Sequence, residues 1–320
     1  MRWIIVLILT FCISIESTAV DLTGLFATDP QPKGEWTKLV IPLKRAGNLL
    51  LIEATIDSIK GDFIIDTGAP YLVLNRTYFR KYETNQTVQN AGVNNGTTQA
   101  SRCAIQKVSF GKLFYENVDA DITSLTQLEN SKKIKILGLI GCNFFTSLCI
   151  KIDILTNQLI IYKLDERGNP IAKIDSTSQG FERDTTPDIT MKFKLCDSKI
   201  FMPVSVAGQS MNWILDTGAE TNVVDALAKK KILKEFSVVR RVKMSGSTGS
   251  QEVILGVFSE INVGEMDFPM QQTLMTNMAE LNETCSIFID GILGYNFLSQ
   301  GTFSINFVTK EFSLYLYKSE

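Results

Sequence analysis

Polar and apolar residues alternate along the chain in short runs, and the runs fall into two similar sets. Residues 39–43 and 50–56 in the first half, and 189–195 and 201–206 in the second, carry β-branched and other apolar residues at the two-residue period of a half-buried strand. Each half closes on two further runs around a polar turn, 149–154 with 159–162 and 303–308 with 312–317. Helical periodicity is scarce. The clearest helix is predicted over 225–233, where Asp225 would cap a run of good helix formers, and a shorter one is predicted to begin at Asn75. The pattern predicts a mainly β protein.

The two sets of runs share words as well as rhythm. Phe63-Ile64-Ile65-Asp66-Thr67-Gly68-Ala69 returns 150 positions later as Trp213-Ile214-Leu215-Asp216-Thr217-Gly218-Ala219. Gly138-Leu139-Ile140-Gly141-Cys142-Asn143-Phe144-Phe145 returns 153 positions later as Gly291-Ile292-Leu293-Gly294-Tyr295-Asn296-Phe297-Leu298. Matching order and spacing in both halves is the signature of an internal duplication. The expected division is an extended lead-in over 20–35, a first lobe over 36–163, a polar linker over 164–188 with Gly168, Pro170, Gly180 and Pro187, and a second lobe over 189–317.

Composition narrows the chemistry. The 320 residues contain no histidine, which removes Ser-His-Asp and Cys-His hydrolases and histidine-ligated zinc. A net charge of -2 without a long basic run gives no electrostatic footprint for nucleic acid, and the lysines at 229–231 read as a solvated helix face. At the N-terminus Arg2 precedes an apolar stretch over 3–15 and then Ser17-Thr18-Ala19, the arrangement of a signal peptide cleaved after residue 19. The mature chain is then expected to be extracytoplasmic, periplasmic or secreted, with no stable membrane insertion. It would keep Cys103, Cys142, Cys149, Cys196 and Cys285, an odd number with no C-x-x-C pair, so no metal and no cofactor are expected. Sequons begin at Asn75, Asn85, Asn95 and Asn282.

What remains for chemistry is a pair of acids, Asp66 and Asp216, each placed where an apolar strand runs into a glycine turn. Poor solvation there lets a neighbouring charge tune the proton affinity of each. The context of these residues resembles the two-lobed aspartic proteases of the pepsin and retropepsin clan. The hydrophobic-hydrophobic-Asp-Thr-Gly-Ala word is similar to the active-site loop of that family, and Leu139-Ile140-Gly141 and Ile292-Leu293-Gly294 are similar to its second hallmark. The resemblance covers both halves and is nearer to retropepsin lobes than to pepsin.

It implies two closed β-barrel lobes and an endopeptidase in which Asp66 and Asp216 hold a water between them. Thr67, Gly68 and Ala69, with Thr217, Gly218 and Ala219, would support the two loops. Glycine-rich segments around Gly92 and Gly96, and around Gly246 and Gly249, stand where retropepsin flaps close over substrate. The partner would be an extended polypeptide, and one chain with both lobes would be active as a monomer.

Two departures stand out. Pro70 follows the first Ala where Glu220 follows the second, and Ala69 and Ala219 stand where the pepsin branch commonly has Ser or Thr. Two other functions remain open on these residues: a catalytically silent two-lobed peptide-binding module, which would share the groove, and a glycosidase using two carboxylates, which fits acid-base logic but not the Asp-Thr-Gly context.

Overall fold

The computed structural model describes residues 6–8, 12–14, 29–84, 86–92, 96–171, 186–246, 249–283 and 285–317. The protein is mainly β, with two barrel-like lobes built on the same strand order. In the first, Lys44–Ala46, Leu49–Ile56, Ile59–Asp66, Gly138–Gly141, Leu72–Asn75, Leu113–Thr123, Gly96–Phe110 and Gln86–Gly92 lie side by side. In the second the order is Lys194–Cys196, Lys199–Val206, Gln209–Leu215, Gly291–Leu293, Asn222–Asp225, Met266–Thr276, Gly249–Val263 and Phe236–Gly246. Leu49–Ile56 also pairs with Gly96–Phe110, and Lys199–Val206 with Gly249–Val263, which curls each sheet back on itself. The duplication in the sequence is thus a duplication of topology.

A six-stranded sheet joins the lobes, in the order Ile189–Lys192, Glu311–Leu316, Gly301–Asn306, Leu148–Asp153, Gln158–Lys163, Lys38–Pro42. Its seam is the antiparallel pair of Leu148–Asp153 with Gly301–Asn306, one strand from each half, in which Ile150 faces Ile305. Alternation dictates the layering: in both seam strands every second residue is buried. The apolar side chains among them belong to one cluster that runs through both halves, with Phe145 of the first stacked against Phe307 of the second at 6.4 Å. The two lobes therefore share a core.

Of the two predicted helices one is shortened and the other is absent, both for the same reason. Only Lys230–Leu233 is helical within 225–233; Asp225 ends the strand Asn222–Asp225, and its Oδ1 accepts N–H bonds from Leu227 at 3.1 Å and Met278 at 3.2 Å. Asn75 likewise ends Leu72–Asn75, where its Oδ1 accepts from Thr77 at 3.2 Å and Leu125 at 3.3 Å while its amide donates to the Ile136 carbonyl at 2.9 Å. A short side chain that can bind nearby N–H groups favours a helix cap and a turn alike, and here strand pairing upstream selects the turn. The same bonds leave Asn75 fully buried, so in the folded protein it cannot carry a glycan. Asn282 exchanges hydrogen bonds with the backbone of Ile289, and the sequons at 85 and 95 begin outside the described residues.

Lysines 229–231 are exposed, although only the last two are helical. Cys103 and Cys142 are buried as small hydrophobes, and burial pushes the Cys103 thiol up to about 11. Within the expected linker, Leu164 bridges back to Pro170, and residues 172–185 lie outside the described residues. Of the lead-in over 20–35, Lys33 pairs with Phe114 of the first lobe. Residues 6–8 and 12–14, within the expected signal peptide, run along the outer edges of Phe236–Gly246 and Gln86–Gly92 respectively.

Candidate active site

Asp66 is the last residue of Ile59–Asp66, and Asp216 directly follows Gln209–Leu215. Each of these strands is central in its sheet, which is why the preceding triplets, Phe63 to Ile65 and Trp213 to Leu215, are apolar throughout instead of alternating. Each runs parallel to the strand of the second motif, with Gly141 beside Asp66 and Leu293 beside Leu215. The glycines of that motif are required by space. A Cβ on Gly141 would stand 2.3 Å from the Tyr71 carbonyl oxygen, and one on Gly294 would stand 2.4 Å from that of Thr221.

The two loops interlock across the lobe boundary. Thr67 N–H donates to Thr217 Oγ1 at 3.1 Å and Thr217 N–H donates to Thr67 Oγ1 at 3.0 Å. Each hydroxyl donates in turn to a strand carbonyl of the opposite lobe, Thr67 to Leu215 at 2.9 Å and Thr217 to Ile65 at 2.8 Å. Gly68 and Gly218 then pass against the opposite acids: a Cβ on Gly68 would lie 2.5 Å from Asp216 Oδ2, and one on Gly218 would lie 2.6 Å from Asp66 Cγ. Two aspartates 150 residues apart are so held as neighbours.

Both acids are fully buried. Asp66 Oδ1 accepts the N–H groups of Gly68 at 2.9 Å and Ala69 at 3.0 Å, and Asp216 Oδ1 accepts that of Gly218 at 2.7 Å. Asp66 Oδ2 receives no bond from any N–H or hydroxyl among the described residues; its neighbour is the Asp216 carboxyl. Burial and then the Asp216 charge push the Asp66 carboxyl well above the usual carboxylate range, against the two N–H donors, which favour the charged form. Ala69 and Ala219 add no side-chain donor; their carbonyls accept N–H bonds from Cys142 at 2.8 Å and Tyr295 at 2.9 Å.

The loops differ beyond the alanines. Pro70 is buried and has only its carbonyl to offer, which Asn143 N–H reaches at 3.2 Å. Glu220 extends into the first lobe, where it forms an ion pair with Lys132 and accepts the N–H of Asn48 at 3.0 Å. Lys132 and Asn48 were not singled out in the sequence, and no local signal marks them, since they lie 88 and 172 positions from Glu220.

The flap candidates fall at the ends of two long hairpins. Gly92 faces Gly96 in one and Gly246 faces Gly249 in the other, and residues 93–95 and 247–248 lie outside the described residues. Each hairpin leans on the other lobe: Gln86–Gly92 lies beside the helix Ala279–Glu283, and Phe236–Gly246 beside the helix Thr126–Lys132.

Residues 52–147 match the family of gag-polyprotein aspartyl proteases, and residues 202–297 match the aspartyl protease family. Each stretch contains one Asp-Thr-Gly-Ala word and one second-motif glycine. No curated protein matches the chain.

Proposed function

Because the chain belongs to the aspartic proteases through two tandem domains, one per lobe and retropepsin-like, we propose that it is an endopeptidase whose single site takes one aspartate from each half. The observation that carries this reading is the interlock of the two loops, which brings a pair of buried carboxyls together with one oxygen, Asp66 Oδ2, left to the pair itself. One carboxylate withdraws a proton from water while the other protonates the carbonyl oxygen of the scissile amide; the amine then leaves with a proton returned through the same pair. Neither a metal nor a histidine is needed for these transfers.

The substrate is an extended polypeptide. Support comes from the two hairpins, whose outer edges each accept an extended segment of this same chain, Val6–Ile8 on one and Cys12–Ser14 on the other. Gly92 and Gly96, and Gly246 and Gly249, are the pairs assigned here to the flaps that would close over the substrate. The intramolecular pairing of the lobes supports activity as a monomer, and the apolar N-terminal stretch with Ser17-Thr18-Ala19 supports an extracytoplasmic location. Among the described residues no helix is long and apolar enough to cross a membrane.

Incubation of the chain from residue 20 onward with a mixed peptide library, at a series of pH values, tests the reading through the new N-termini that cleavage creates. Wild type should cut in the acidic range, and Asp66→Asn and Asp216→Asn should each abolish cutting with the fold intact. Wild type that binds library peptides and cuts none would instead make the chain a silent peptide-binding module.

A further inference from the structure

The active-site loops are copies, yet among the described residues only one is fastened to the facing lobe by charge. Glu220, the residue after Asp-Thr-Gly-Ala in the second copy, is held by Lys132, the last residue of the first lobe's helix Thr126–Lys132. Their side chains are 6% and 9% exposed. The remaining carboxylate oxygen accepts the Asn48 N–H at 3.0 Å, and the Asn48 side-chain amide donates to the Glu220 carbonyl at 3.0 Å. Gly47 makes room for this contact, since a Cβ there would lie 2.8 Å from Glu220 Oε1 and its φ of +64° suits glycine. A second strap grips the preceding residue: Tyr295, whose N–H holds the Ala219 carbonyl, receives a hydrogen bond from Arg45 of the first lobe, with the guanidinium 5.1 Å from the ring centroid. In the other copy Pro70 replaces Glu220, Ser198 and Cys285 stand at the positions of Asn48 and Lys132, and Cys142 stands at that of Tyr295.

We infer that Glu220 is a positioning residue whose ion pair with Lys132 latches the second active-site loop to the first lobe and so sets Asp216 against Asp66. A buried carboxylate with a single geometry leaves a four-residue loop little freedom, and Asp216 begins that loop. The helix that supplies Lys132 also lies beside the second lobe's own hairpin, Phe236–Gly246. The latch therefore fixes the acid and the hairpin to one support. Its kinetic consequence rests on the endopeptidase reading; its structural consequence does not.

The test compares Glu220→Gln, Lys132→Met, Lys132→Arg and the double variant Glu220→Gln/Lys132→Met in the full mature chain, by peptide hydrolysis and by amide hydrogen exchange over residues 217–220. Each neutralising single variant should lower kcat by about tenfold or more with KM within about twofold, and should speed exchange of the Thr217 and Gly218 amides. Lys132→Arg should stay within about threefold of wild type, and the double variant, which leaves no lone buried charge, should fold and recover above either single one. Unchanged exchange in both single variants overturns the latch. So does a rise in KM at constant kcat, which would make Glu220 a substrate contact, or an equal loss in Lys132→Arg and Lys132→Met. If wild type proves unable to cut peptides, the exchange measurement alone decides the latch and the endopeptidase reading falls by itself.

Discussion

Replacing Thr67 by valine removes one oxygen from the lobe boundary and almost nothing else. The shape is kept, so no cavity forms, but Thr217 N–H loses its acceptor at 3.0 Å and the Leu215 carbonyl loses its donor at 2.9 Å. Both residues are buried, Thr217 to 3% exposure and Leu215 completely, so water cannot replace the lost partner. A buried polar group stranded in this way costs about 1–3 kcal/mol, and two of them about 2–6 kcal/mol. Against a total stability of about 5–15 kcal/mol, that is a large share. Urea unfolding of Thr67→Val should show a midpoint lowered accordingly at an unchanged slope. Thr67→Ser, which keeps the hydroxyl and sheds one methyl, should lose no more than about 1.5 kcal/mol. The reasoning is refuted by a valine variant within about 1 kcal/mol of wild type, or by a serine variant that fares as badly, since either would mean that the oxygen is not what joins the loops.

Three further outcomes are expected. Asp66 has a raised carboxyl pKa in the folded chain, so below the ordinary value of 3.8 both states are protonated and nothing is lost, whereas stability falls as pH climbs from there through the folded value. Asp66→Asn should therefore melt at a higher temperature than wild type near neutral pH, and calorimetry should find that advantage gone at about pH 3. Ala69→Ser with Ala219→Ser supplies each acid with a hydroxyl donor, favours the charged forms and should move the acid limb of kcat/KM to lower pH; a shift upward would contradict the role given to the alanines. Since both acids belong to one chain, specific activity should stay constant on dilution through the nanomolar range, while an activity that fades with dilution would point to assembly between chains.

The candidate site was legible because its motif is written twice. A single Asp-Thr-Gly is an ordinary turn sequence, but a second copy in register, followed in each half by a second glycine motif, ties four separate segments to one design. The glycines were readable for the same reason: Gly141 and Gly294 stand where a neighbouring backbone leaves no room for a Cβ. The helices were readable only in part, through Lys230–Leu233. Thr126–Lys132 is seven residues long with one buried side chain, Leu128, and so has no period to detect. Asp225 and Asn75 carry a signal that serves helix caps and turns equally, and the choice between them is made by Met278 and Leu125, some fifty positions away. The partners of Glu220 lie in the same class, because a cross-lobe ion pair leaves no mark on either local sequence.

Duplication within one chain changes what the loops are free to become. In a dimer of identical subunits, every substitution in the active-site loop appears twice, so a glutamate that latches one side needs a lysine and an open turn on both. Here the copies have parted: Pro70 is buried with only its carbonyl engaged, while Glu220 crosses to Lys132 and Asn48. The hairpins differ in the same sense, Gln86–Gly92 carrying no charge and Phe236–Gly246 carrying Arg240, Arg241 and Lys243. A peptide is itself directional, with N–H and C=O groups in fixed order along its length. A two-fold site accepts it equally in either sense, whereas walls that differ from end to end favour one. Positions 70 and 220 have parted without disturbing the Thr67 and Thr217 interlock, which stays symmetric because both acids depend on it.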